Sequence, residues 1–234
     1  MGNLNLVREI VLDTETTGLD PSQGHRIVEI GAVELINHMP TGKTYHVYLN
    51  PQRDMPKEAE AVHGLSSAFL KDKPLFKSQL EAFTAFLEEA TLVIHNASFD
   101  MTFINAELGY CDTLAIPMDR VIDTLALARR THPMGPNSLD ALCRRYGIDN
   151  SKRTKHGALL DAELLADVYL EMIGGKQTSL RLVEDETTNK VSQLTTTSFV
   201  TQRPKILPSR LSETELAAHE KAIASLGDGS LWKN

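Results

Sequence analysis

Two acids, Asp13 and Glu15, stand two residues apart at the end of the apolar run REIVLDTE. In a strand, alternate residues point to one face, so both carboxylates share a side. Two acids held there repel unless a cation lies between them. An isolated pair of this kind is more often a solvated strand end. Here the apolar residues before it and the TTG turn after it favour a buried edge. Asp100 follows the apolar run TLVIH and the short loop NASF. Taken alone, it is a first-turn acid facing a helix dipole. Asp161 lies among Leu160, Leu164 and Leu165, at the buried margin of a helix, where an unpaired acid is costly. Its bland alternative is a surface acid at the edge of an amphipathic face. His156 precedes Asp161 by five residues. Within one continuous helix that separation is about 140°, so His156 reaches the Asp161 side only from the loop SKRTKHG before the helix. A lone histidine is usually a surface residue, yet an unperturbed pKa near ~6.5 suits it to take a proton from water at neutral pH.

The elements that must position these groups are readable from patterning. REIVLD at 8–13, RIVEIGAVELI at 26–36 and TYHVYLN at 44–50 read as strands, close enough together for an antiparallel meander. TLVIH at 91–95 and RVIDT at 120–124 read as two more. Ser78 and Glu81 form a capping-box pattern ahead of Phe83, Phe86 and Leu87, which predicts a helix over 79–90. Further helices are expected near 99–108, over 138–146 with Asn137 as cap and Gly147 as stop, and over 157–173. A meander followed by alternating helices and strands predicts an α/β layer with a mixed sheet.

Composition bounds the function. The chain has 234 residues, 41 % of them hydrophobic and 24 % charged, which suits a soluble globular protein with a sizeable core. Cys111 and Cys143 form no CxxC and no His/Cys cluster, so neither a zinc site nor a disulfide framework is indicated, and a reducing compartment fits. No basic leader or membrane-length apolar run is present, and a cytoplasmic location is expected. A net charge of −7 argues against gripping long duplex DNA through many phosphate contacts. It leaves room for a nuclease that holds a few nucleotides, since bound cations reverse the local sign at an acidic site.

Taken together and in order, DTETTG, NASFD and HGALLDA resemble the three motifs of the DEDDh family of 3′–5′ exonucleases. The resemblance implies a ribonuclease-H-like fold with helices flanking the sheet. It matches Asp13, Glu15, Asp100 and Asp161 to the acids that hold two divalent ions, Mg2+ or Mn2+, and His156 to the general base. Two such ions activate a water and stabilise the leaving oxygen, so the expected product is a nucleoside 5′-monophosphate. Longer stretches, among them RIVEIGAVE, VHG at 62–64, LVIHNASFD and NSLDALCRRYGIDNSKRTKHGALLDAELLADVYL, are similar to the proofreading subunits of bacterial replicative polymerases. That similarity implies contacts of Asp13, Glu15, Thr16, Val62, His63, Asn96, Phe99 and Asp161 with the terminal nucleotide of a single-stranded or frayed primer. Core packing competes for Val62 and Phe99, and turn stabilisation for His63.

After Gly175 the character changes. Residues 184–202 are polar and Thr-rich, as a flexible linker would be. This divides the chain into a nuclease domain at 1–175, a linker at 176–204 and a tail at 205–234. Gln177, Ser179, Leu180 and Leu182 lie in a peptide, 177–182, resembling those that bind a beta sliding clamp. In the tail, Ser212 and Glu215 form a capping box, and Leu211 and Leu216 a hydrophobic staple, at the start of a short helix. Leu216, Ile223, Leu226 and the sole tryptophan, Trp232, match the region that docks on the polymerase catalytic (alpha) subunit. Whether a small theta-like accessory subunit also binds is left open. Two rivals remain. One is a stand-alone exonuclease acting on RNA or in DNA repair, for which a clamp peptide and a docking helix have little use. The other is a non-catalytic scaffold joining clamp to polymerase, against which the intact acids and His156 argue.

Overall fold

The computed structural model describes residues 6–174 and 212–225. The chain divides into two units, Met1–Arg181 and Leu182–Asn234, each described by itself. In the first, β1 (Arg8–Thr16), β2 (Ile27–Ile36) and β3 (Met39–Tyr48) form the expected antiparallel meander, and β4 (Thr91–Ile94) and β5 (Val121–Asp123) run parallel to β1 on its other side. The sheet order is β3-β2-β1-β4-β5. β3 begins at Met39 rather than at 44, because a two-residue turn at Asn37 and His38, both with positive φ, returns the chain directly onto β2.

Alternation along β1 sorts its side chains between two layers. Ile10 and Leu12 enter one apolar cluster with Phe83 of α3 (Phe76–Leu87) and with Met101, Phe103 and Ile104 of α4 (Ser98–Tyr110). Val11 enters another, on the opposite face, with Leu165, Ala166, Tyr169 and Leu170 of α7 (Ala158–Met172). Asp13 and Glu15 continue the Val11 series and so face α7, whereas Thr14 continues the Leu12 series and faces α4. Behind α7 lie α5 (Thr124–Thr131) and α6 (Leu139–Tyr146), joined to it through Ala128, Leu142, Cys143, Leu164 and Val168.

Gly31 fixes how closely α7 approaches. It pairs with Asp13 across β1 and β2, and a Cβ there would collide with the backbone of Ala158 and Leu159. The missing side chain lets the first turn of α7, which carries Asp161, press against the sheet beside Asp13.

Several local expectations are corrected. α3 starts at Phe76, and Ser78 does not cap it; its hydroxyl donates to Leu75 O at 2.7 Å inside the first turn. Burial of Phe76 requires the earlier start. Ser138, not Asn137, caps α6, accepting from Ala141 N at 3.4 Å, while the Asn137 amide donates to His132 O at 3.1 Å. Three short helices were not foreseen: α1 (Lys57–His63), α2 (Ser67–Leu70) and α5. The other expected elements are present, with ends shifted by up to three residues.

In the second unit, α8 spans Glu213–Ser225. Its capping box is formed: Glu215 N donates to Ser212 Oγ at 3.3 Å, and Ser212 N to Glu215 Oε2 at 2.8 Å. Leu216 and Ile223, seven residues apart, share a face. Gln177, Ser179, Leu180, Leu182, Leu211, Leu226 and Trp232 lie outside the described residues. Among the described residues, no helix is long and apolar enough to cross a membrane.

Candidate active site

The five residues singled out by the motifs converge at the C-terminal end of β1. Glu15, His156 and Asp161 offer ligand atoms that all lie within 4.8 Å of one another. Asp13 faces the same side as Glu15. Asp100, in the first turn of α4, accepts from Thr14 N at 3.0 Å and from Thr14 Oγ1 at 2.7 Å. The strand that carries two of the acids therefore also aims the third.

The electrostatics divide the cluster. Burial, with the repulsion of Asp100, Glu15 and Asp161, pushes the Asp13 carboxyl well above its ordinary range. Burial first, then Asp161, Glu29 and Asp100, push Glu15 up to about 8. Burial likewise takes Asp100 to about 7, against the lowering effect of the Thr14 hydrogen bonds. Asp161 goes the other way. Burial would raise it, but hydrogen bonds from Arg153 and His156, and their charge, hold it below the usual carboxylate range. Arg153 Nε and Nη2 reach Asp161 Oδ1 and Oδ2 at 2.5 and 2.7 Å, a bidentate fork. His156 Nδ1 lies 3.4 Å from Asp161 Oδ2.

His156 does sit in the loop before α7, as the spacing requires. Its backbone N–H donates to Val62 O at 3.3 Å, which ties this loop to the end of α1. α1 thereby joins the VHG turn to the loop that carries His156.

Two cavities flank the acids. One, of about 630 Å³, is lined by Glu15, Thr16, Val62, His63 and Phe99. Val62 is 48 % exposed, so it lines the cavity and is not core. Phe99 is partly buried against the core and also forms the wall. His63 serves the turn through Nδ1, which accepts from Leu65 N at 3.0 Å, while its buried Nε2 has no hydrogen-bond partner among the described residues. Burial lowers the His63 pKa below the ordinary histidine value. The other cavity, of about 670 Å³, is lined by Asp13, His95, Asn96, Arg129, Asn137, His156 and Asp161. Asn96 thus stands apart from Thr16, Val62, His63 and Phe99. Its φ of 60° follows from the tight turn between β4 and α4, where its N–H donates to Asp123 Oδ1 at 3.1 Å.

Sequence reasoning missed Arg153, Thr14 and Arg129. Arg153 lies in the loop SKRTKHG, and nothing in its spacing signals that it folds back onto Asp161.

A mixed β3-β2-β1-β4-β5 sheet with helices on both faces, and acids gathered at the end of its central strand, defines a ribonuclease-H-like nuclease. A structure of the nuclease domain of 3′hExo, described as a DEDDh family member bound to rAMP, shares this fold, with a TM-score of 0.63 at 16 % identity over 74 % of this chain and 94 % of that one. Residues 10–169 match the exonuclease family (RNase T). DNA polymerase III subunit epsilon of Rickettsia conorii is 44 % identical over 95 % of this chain and 98 % of its own length, and that of Salmonella typhimurium 47 % identical over 97 % and 98 %. The chain belongs to this exonuclease family and, within it, to the DNA polymerase III epsilon subunits.

Proposed function

We propose that the chain is the proofreading 3′–5′ exonuclease of a bacterial replicative polymerase, removing mispaired nucleotides from a primer 3′ end. The observation that carries this reading is the convergence of Glu15, His156 and Asp161, with Asp13 and Asp100 against them, on one buried acid cluster. The family depends on divalent metal, and this donor set fits it. Carboxylate oxygens are hard ligands of the kind Mg2+ and Mn2+ prefer. Burial raises three of the four acids, helped at Asp13 and Glu15 by repulsion from the others, and a cation relieves this.

Asp13, Glu15, Asp100 and Asp161 would hold two such ions, whose bound chemistry is to lower the pKa of water and to stabilise charge on the scissile phosphate. The chain's own residues do the rest. His156, half-exposed at the mouth of the site, accepts the proton of the attacking water at a ring nitrogen. Thr14 aims Asp100 and favours its charged form by donating two hydrogen bonds to it, against the raising effect of burial. The cavity of Thr16, Val62, His63 and Phe99 receives the terminal nucleotide, with Phe99 and Val62 offering apolar surface to the base. Asn96, on the opposite flank, meets the strand that follows. Water is the nucleophile, so a nucleoside 5′-monophosphate leaves.

In this reading residues 1–175 form the nuclease, 176–204 the linker with its clamp peptide, and 205–234 the segment that docks on the polymerase alpha subunit. The test is primer degradation with and without Mg2+, combined with co-purification. The full chain is expected to release mononucleotides from a mismatched primer only with metal, and to co-purify with the polymerase. Deleting 205–234 should leave hydrolysis of a short primer unchanged and eliminate co-purification. Replacing Gln177 and Leu180 with Ala should weaken clamp binding alone. Metal-independent release, or preference for RNA with no polymerase association, would overturn the reading.

A further inference from the structure

Among the described residues, Arg153 is the cation that the fold inserts among the acids. Its side chain is 8 % exposed, and all three of its guanidinium nitrogens are engaged. Nε and Nη2 occupy the two oxygens of Asp161, at 2.5 and 2.7 Å. The same Nη2 lies 2.8 Å from His156 Nδ1. Nη1 points outward, to Asp140 Oδ1 at 3.0 Å. Asp140 is 42 % exposed at its side chain and is itself held by Asn150 Nδ2 at 2.9 Å. One guanidinium thus spans two carboxylates, Asp161 inside the ligand set and Asp140 outside it.

This arrangement sets up a competition. Asp161 belongs to the group of ligand atoms within 4.8 Å that includes Glu15 and His156, yet both its oxygens are engaged by Arg153. A bidentate fork covers the directions from which a carboxylate most readily accepts. Swinging Arg153 fully onto Asp140 keeps the guanidinium paired, which avoids stranding a buried charge.

We propose that Arg153 is a built-in counter-ion that occupies Asp161 in the metal-free protein and moves onto Asp140 when a divalent ion binds, releasing Asp161 and His156 in one movement. The inference rests on the acids being the metal site, as argued above. Arg153 is a positioning residue: it acts through Asp161 and His156. Its consequence for affinity is arithmetic, because a ligand that needs a minor conformer binds more weakly by the fraction of time that conformer is present. If Asp161 is free in roughly one molecule in ten, removing Arg153 tightens metal binding about tenfold.

The test is a Mn2+ titration by calorimetry on the full chain, paired with melting curves in EDTA and in saturating Mn2+, for the parent, Arg153→Gln, Asp140→Asn and Asp13→Ala. The expected result is opposite shifts: Arg153→Gln binds Mn2+ more tightly, and Asp140→Asn, having lost the second landing place, binds it more weakly. Arg153→Gln should also melt below the parent in EDTA and gain more from Mn2+. Should Arg153→Gln fail to fold without metal, Asp140→Asn, altered at an exposed carboxylate, carries the test alone. Weaker binding in Arg153→Gln would mean that the guanidinium supports the ligands, and unchanged binding in both variants would make it structural; either overturns the proposal. A parent that takes up no Mn2+, or an Asp13→Ala variant that takes it up equally well, sinks the metal-site reading itself.

Discussion

Asp100 and Asp161 are buried alike, at 3 % and 2 % exposure, yet their carboxyls are driven in opposite directions. Asp100, in the first turn of α4, is raised chiefly by desolvation, as Asp13 and Glu15 are, and the strongest relief comes from the Thr14 hydrogen bonds. Asp161, on the helix side, has a full guanidinium on its two oxygens. Residue type and burial are the same, so the partner decides the sign. Asp13, Glu15 and Asp100 are raised carboxyls that an added cation would relieve, whereas Asp161 on α7 already has a cation against it.

The largest way to sharpen this contrast is to remove one acid of each kind. Asp13→Ala and Asp161→Ala should both eliminate mononucleotide release, since each removes an acid of the proposed metal site. Their metal-free stabilities should diverge. Relieving repulsion by about 1 kcal/mol in Asp13→Ala raises Tm by ~2–4 °C in a domain of this size. Asp161→Ala takes away the bidentate partner of Arg153, leaving only the half-exposed Asp140 to pair with a buried guanidinium, and should lower Tm by several degrees. Melting curves in EDTA that shift in the same direction would break the comparison.

His156→Ala comes next. It should reduce turnover by roughly 10²–10⁴, the usual contribution of a positioned general base, with little change in primer binding. A rate close to that of the parent would make His156 structural.

Gly31→Val tests whether the sheet and α7 must be in close register. The added side chain meets the α7 backbone, and overpacking of this kind costs about 1–3 kcal/mol. Tm should fall by several degrees and hydrolysis should drop with it, whereas a surface helix that slides freely would show neither.

The smallest effect is a slope. Glu15 is raised to about 8 and Asp100 to about 7, so the folded protein holds protons that the unfolded chain releases. Stability from these groups is present below the ordinary carboxylate range and is lost as pH rises through about 7 and 8. Asp161, being lowered, contributes in the opposite sense, losing its share only as pH falls below the ordinary aspartate range. In EDTA, Tm should therefore decline between pH 5 and about 8, and saturating Mg2+ should flatten the decline. An equal slope in both buffers would remove the raised acids as its source.

The sequence by itself determined the acids, His156 and the face of β1 on which Asp13 and Glu15 lie, because period-two alternation and a short motif are local properties. It also determined the meander, the capping box of α8 and the loop position of His156. Local signals misled where packing outvoted them. Burial of Phe76 moved the start of α3 ahead of the Ser78 pattern, and Asn137 was drawn off to His132, leaving Ser138 to cap α6. α1, α2 and α5 are short, with only one or two buried residues each, so their helical period was too weak to read. Only the tertiary structure decided that Asn96 lies on the far flank from Thr16 and His63, that Gly31 lets α7 close on Asp13, and that Arg153 folds back onto Asp161. Each depends on which surfaces meet in space. The charge state of a buried acid depends on the groups across the gap from it, and sequence distance carries no record of them.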